Sequence, residues 1–180
     1  MSEEKPGDGA FKYIIGLLIV VGIRILPRPP NVEPIMATCM PFSKGYGWMG
    51  GTLFTMAAIV IYDLITRTVG PWSIVTATTY GLVAFGAYFY LRNRENTVRS
   101  YVTYSIIGTL FFDIVTGIGM GYFIFKIPLT LVVAGQIPFT LMHLASSMIT
   151  AAASPMIYRW VVTNPNLEAS KLFGRLASRA

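Results

Sequence analysis

The chain has 180 residues, 54% of them hydrophobic and 12% charged, with a mean hydropathy of +0.60 and a net charge of +6. It holds too few polar side chains to coat a soluble globule of this size, so lipid is expected to be its solvent. Its basic residues form no patch interleaved with aromatics in a soluble segment, which argues against nucleic acid as a partner, and its lone cysteine, Cys39, excludes an intrachain disulfide and a multi-cysteine metal site.

A helix needs about 20 apolar residues to cross a bilayer. The acidic, polar stretch Ser2 to Gly9 leads into a first oily run, Phe11 to Leu26. Pro27, Arg28 and two further prolines follow without a small-residue cleavage site, so this run reads as a retained helix. A shorter run, Val32 to Ser43, has the length of a re-entrant or tilted segment; Trp48 to Thr66, Trp72 to Leu91, Tyr101 to Phe125 and Leu129 to Val162 then follow. Counting the short run as a crossing, with the N-terminus inside, gathers ten basic residues on the cytoplasmic side and leaves only Arg24, Arg28, Arg67 and Lys126 outside. That is a clear positive-inside bias. The expected fold is an all-α membrane protein, a bundle of six transmembrane helices with both termini cytoplasmic, spanning residues 1–163. Residues 164–180 form a tail in which Asn166 is a helix cap and Lys171, Arg175 and Arg179 recur at i, i+4, i+8. It suits either a helix lying on an anionic cytoplasmic leaflet or a solvated end.

Polar side chains within the oily runs are informative because each costs a few kcal/mol in hydrocarbon unless it faces protein or water. Gln136, Thr140, His143, Ser147 and Thr150 fall at i, i+4, i+7, i+11, i+14, one face of one helix. Ser105, Thr109, Asp113 and Thr116 form a second stripe, and Thr52, Thr55, Asp63 and Thr66 a third. At about 1.5 Å per residue, Asp63, Asp113 and Gln136 lie in the outer half of the bundle, near Asn31, Glu33 and the Gly70-Pro71-Trp72 turn, with His143 nearer mid-depth. A pocket open to the outside follows, with Asn31, Glu33, Trp72, Tyr80, Asp113, Gln136, Thr140 and His143 as candidate solute ligands. The opposing reading is structural: Ser and Thr bond their own i−4 carbonyls, a lone histidine joins two helices, and Asp63 pairs with Arg67 one turn on. Asp113 has no partner nearby in sequence. With no second histidine, no metal site is expected.

Small residues mark close helix approach, on Gly47, Gly51, Thr55 and Ala58 and again from Ala145 to Ala153. The glycine spacing of Gly45, Gly47 and Gly50 matches a dinucleotide-binding pattern, but no strand precedes it. No Walker A, zinc-protease or nucleophile-elbow pattern occurs, so neither a cofactor nor an enzymatic activity is expected.

Pro30-Asn31-Val32-Glu33-Pro34, the glycines at 47, 50 and 51, Asp63, Gly70-Pro71-Trp72, Tyr80-Gly81 and the closing stretch His143 to Tyr158 occur in an order that resembles the substrate-binding S components of energy-coupling factor (ECF) vitamin transporters. The resemblance implies a multi-pass protein of a prokaryotic plasma membrane that captures a vitamin or related micronutrient from outside. It also implies partners, a transmembrane coupling protein and cytoplasmic ATPases, since this chain carries no nucleotide site. That family commonly docks through an Ala-x-x-x-Ala face on its first helix. Here Ala10, Gly16 and Gly22 are not four apart, which leaves Gly16, Gly47, Gly51 and Ala58 as the candidate docking positions. Two rivals come from other classes. One is a membrane scaffold whose polar stripes serve helix association alone. The other is an intramembrane aspartyl protease, for which Tyr62-Asp63 and Asp113 would supply the carboxylates, although no Gly-x-Gly-Asp surrounds Asp113.

Overall fold

The computed structural model of the chain describes residues 6–27 and 32–167, and these are all helix, turn and coil. Asn31 and the tail cations Lys171, Arg175 and Arg179 lie outside the described residues. Helix α1 runs Pro6–Ile25, α2 Pro34–Thr66, α3 Pro71–Leu91, α4 Val98–Asp113, α5 Leu129–Ala151 and the single turn α6 Ser154–Ile157. Four runs are long and apolar enough to cross a membrane: Pro34–Thr66, Pro71–Leu91, Val98–Ile124 and Leu129–Val162. Their outward faces carry exposed Ile, Leu and Phe, among them Ile74 at 73% and Leu141 at 64% exposure, as expected of helices solvated by lipid.

The long run α2 is two arms, not one rod. Gly47 sits at φ 80, ψ 176, a backbone region open essentially to glycine alone. The chain reverses there. The rings of Phe42 and Phe54 stack with centroids 4.0 Å apart, whereas residues twelve apart on a straight helix are separated by about 18 Å. Ser43 packs directly on Gly51, where any Cβ would collide. The short run expected over Val32 to Ser43 is therefore a helical arm, 34–46, folded back on the arm 48–66.

This reversal defines one pole of the bundle. The Tyr13 hydroxyl donates to the Gly50 carbonyl (2.8 Å) and the Tyr46 hydroxyl to that of Gly9 (3.1 Å). Tyr13 meets Tyr46 and Phe54 edge-on, at 5.3 Å each. The α3–α4 loop joins the same pole, where Lys44 Nζ donates to the Arg94 carbonyl (2.6 Å) and Asn96 Nδ2 to that of Pro155 (3.1 Å). Gly45 abuts Val162. The opposite pole carries the end of α1, the start of α2, and the turn into α3, where Gly70 N–H donates to Ser73 Oγ (3.1 Å).

Two expected helices are less regular than their apolar lengths suggest. Beyond Asp113, α4 continues as an eleven-residue π-helix, Ile114–Ile124, rich in glycine. The expected run Leu129 to Val162 breaks after Ala151, resumes as α6 and ends as a π-helix, Tyr158–Val162. Pro138 inside α5 and Pro41 inside α2 each remove one backbone donor.

Gly47→Ala should destabilise the protein by about 1 to 3 kcal/mol, the cost of holding a side chain in that backbone region. Gly22→Ala, with nothing within 4 Å of the added Cβ, is the matched control. Thermal unfolding in detergent measures both, and equal midpoints would remove the special role given to Gly47.

Candidate functional site

At the pole opposite the reversal, residues from five segments enclose a cavity of about 200 Å³: Arg24 from α1, Val32 and Glu33 at the start of α2, Thr76 and Tyr80 from α3, Phe112 from α4, and Phe139 and His143 from α5. Glu33 is the N-cap residue of α2, with extended backbone (φ −123, ψ 116) ahead of Pro34, whose fixed φ opens the helix. Its carboxylate lies 3.5 Å from the Arg24 guanidinium, and Arg24 also covers the Tyr62 ring at 4.3 Å. A buried guanidinium between a carboxylate and an aromatic face keeps its charge compensated, without which its burial would be strongly unfavourable.

The aromatic wall is continuous. Tyr80 and Phe112 lie 4.0 Å apart between centroids. The His143 ring meets Phe112 at 5.8 Å and Phe139 at 5.7 Å, edge-on to both. His143 Nδ1 and Asp113 Oδ1 are 2.7 Å apart, with the residues 3% and 1% exposed. That bond occupies Nδ1 and leaves Nε2 as the ring nitrogen able to meet a ligand in the cavity. The site thus offers a cation, a carboxylate, hydroxyls and an imidazole nitrogen against flat aromatic walls, which suits a small ring-bearing solute with both donors and acceptors.

The candidate ligands fall into three groups. Glu33, Tyr80 and His143 line the cavity. Asp113, Gln136 and Thr140 line a separate groove of about 350 Å³ between α4, its π continuation and α5. Asp113 touches both sites through its bond to His143. Trp72 lines neither: it is 45% exposed, with its indole N–H donating to the Thr68 carbonyl at 3.0 Å. Asp113, which has no neighbouring partner in sequence, finds one 30 residues away. Asp63 is buried, and among the described residues its side chain makes no ion pair with Arg67, whose left-handed backbone (φ 57) instead caps α2 by donating its N–H to the Asp63 and Leu64 carbonyls. Most hydroxyls of the third stripe turn to their own helix, Thr52 to Trp48, Thr55 to Gly51 and Thr66 to Tyr62.

The candidate docking positions serve the chain's own packing. Gly16 lies under the Phe42 ring, Gly51 under Ser43, and Ala58 is fully buried, while Gly47 is the point of reversal. Among the described residues, no three His, Cys, Asp or Glu side chains come together.

Arg24, Val32, Thr76, Phe112 and Phe139 are the cavity residues that the sequence reading passes over. Arg24 sits inside the first oily run, so the rule that intramembrane charges are functional candidates applies to it as it does to Asp113. Phe139 lies one turn from His143, on the same face. No family model, curated protein or solved structure matches the chain.

His143→Leu should cost about 1 to 3 kcal/mol, because it strands the buried Asp113 carboxylate. The double variant Asp113→Leu/His143→Leu should cost less than the two single costs added together, since no half of the pair is left behind. Chemical unfolding of all three variants checks this, and strict additivity would mean the two groups do not interact.

Proposed function

We propose that this chain is the substrate-capturing subunit of an ECF-type uptake system, holding a vitamin-like solute for import powered by a coupling protein and ATPases. The observation that carries the reading is the 200 Å³ cavity, in which Arg24, Glu33 and His143 converge between aromatic walls at one pole of an apolar bundle. A protein that only held helices together would have no reason to keep a compensated guanidinium beside a cavity, since apolar packing would serve at lower desolvation cost. The Asp113 carboxylate is bonded to an imidazole, not to a second carboxylate, which disfavours the shared-proton dyad of an aspartyl protease.

The topology that belongs to this reading is six crossings with both termini cytoplasmic, in a prokaryotic plasma membrane. Two observations support it. The arms of α2 run in opposite directions about Gly47, which suits two separate passages. Gly9 and Val162 both pack at the reversal pole, through Tyr46 and Gly45, as an even number of passages requires. The cavity then opens outward, and the loop holding Arg92, Arg94 and Arg99 faces the cytoplasm, in line with the positive-inside rule.

Candidate vitamins and their precursors should be screened by the rise in melting temperature they give the purified protein. For the solute so found, Arg24→Gln and His143→Phe should each weaken binding by about 1 to 3 kcal/mol, the scale of a lost buried hydrogen bond, with the fold retained. In liposomes the chain alone should bind without accumulating that solute, and accumulation should require the coupling protein and ATPases. Concentrative uptake by the chain alone would refute the assignment. A cysteine replacing Asn93 should resist an impermeant thiol reagent in intact cells, whereas one replacing Thr68 should react; the reverse pattern would invert the topology.

A further inference from the structure

The groove between α4 and α5 is separate from the solute cavity and differs from it in chemistry. Leu110, Ile114, Ile118, Val133, Ile137 and Leu141 make its walls nearly all aliphatic. Its mouth is on the outer face of the bundle, where Ile114, Ile137 and Leu141 are 58%, 59% and 64% exposed. On the face of a helix solvated by lipid, such a hollow is open to a molecule dissolved in the membrane.

What distinguishes it from an accidental gap between helices is its floor. Asp113 lines it and is 1% exposed, and although Oδ1 is held by His143, Oδ2 has no hydrogen-bond partner among the described residues. A buried carboxylate oxygen without a donor is costly, by the full desolvation penalty of that atom. Beside it, Gln136 Nε2 donates to Thr140 Oγ1 at 3.0 Å. The Gln136 carbonyl end lies against Gly117 on the π-helix, where a Cβ would displace it. Asp113 thus brings a buried, unsatisfied acceptor to the wall of an otherwise aliphatic channel, whose described lining has no lysine or arginine.

We propose that this groove binds a single-chain amphiphile whose hydrogen-bond-donating head reaches Asp113 Oδ2 while its chain lies along Leu110, Ile114, Ile137 and Leu141. An anionic or ether head would leave the acceptor unpaired or repel it. The proposal does not rest on the transport reading, because the groove lies on the other side of the Asp113–His143 bond from the cavity and shares none of its lining residues.

The test is photolabelling of the full chain in phosphatidylcholine nanodiscs with three diazirine probes of equal chain length, a primary alcohol, a primary amine and a methyl ether, with adducts mapped by peptide mass spectrometry. The alcohol and amine should label the 110–118 and 133–144 segments about tenfold more than the ether, the scale of one net hydrogen bond. Ile137→Trp, a change at an exposed position that fills the groove, should abolish this excess, and Gln136→Leu should reduce it. Trp in place of Ile74, equally lipid-facing but remote, should leave it unchanged. Equal labelling by ether and alcohol, labelling spread over the exposed faces of α1 and α3, or an excess that survives Ile137→Trp would each overturn the proposal. Because the readout is the labelled position, it is independent of whether the cavity binds a vitamin.

Discussion

A single buried hydrogen bond, His143 Nδ1 to Asp113 Oδ1 at 2.7 Å, decides how the polar chemistry of this bundle is distributed. It joins α4 to α5 at the level where Phe112 and Phe139 line the cavity and Ile114 and Ile137 line the groove. One side of it is the charged, aromatic cavity; the other is the aliphatic groove. By occupying Nδ1 it leaves Nε2 as the free nitrogen of a ring that lines the cavity, and by engaging one carboxylate oxygen it leaves the second, buried, without a partner among the described residues. Remove it, and the cavity loses its imidazole and the groove its carboxylate as fixed groups.

The second constraint is the backbone at Gly47. Because the chain reverses there, the arm 48–66 returns to the pole where Glu33 lies 3.5 Å from Arg24, bringing Tyr62 against the Arg24 guanidinium and α3 to the cavity. Had α2 been a straight rod of 33 residues, it would extend about 50 Å and carry Tyr62, Thr76 and Tyr80 away from Arg24 and Glu33. The aromatic cluster of Tyr13, Phe42, Tyr46 and Phe54 holds the two arms and α1 together at this pole. A backbone torsion at one end of the molecule thus closes the cavity at the other.

The parts legible in the sequence were those carried by local pattern. The oily runs are helices, the stripe through Ser105, Thr109 and Asp113 is buried, and Pro34 and Pro71 each begin a helix after an extended residue. Partners distant in sequence were not legible. Nothing in the spacing of Asp113 points to His143, and nothing in Arg24 points to Glu33 across the proline-rich turn, because both pairings depend on how whole helices are arranged. Depth arithmetic placed Gln136 and Asp113 near the solute pocket but could not tell which face of α5 turns inward. Phe139 and His143 line the cavity, and Gln136 and Thr140 the groove. The irregularity of the π-helix Ile114–Ile124 was hidden for a related reason: its residues are as apolar as those of an ordinary spanning helix, and only the glycines at 117, 119 and 121 hint at it.

The use of small residues follows from the same economy of contacts. In lipid, where apolar surface gains nothing by leaving its solvent, helices are held by close packing and polar bonds. Gly16 under Phe42, Gly51 under Ser43 and Gly108 against Val83 and Met36 are such packing contacts within the chain. The positions whose small size most invites a neighbour are thus already filled from inside. A second membrane protein docking on this bundle meets mainly branched and aromatic side chains, among them Leu18, Leu53, Phe85 and Phe123. Gly22 and Gly135 are different, since a Cβ at either would touch nothing within 4 Å among the described residues. If a partner chain requires close backbone approach, those two glycines have room for it without disturbing the interior, and bulky substitutions there should separate partner docking from folding.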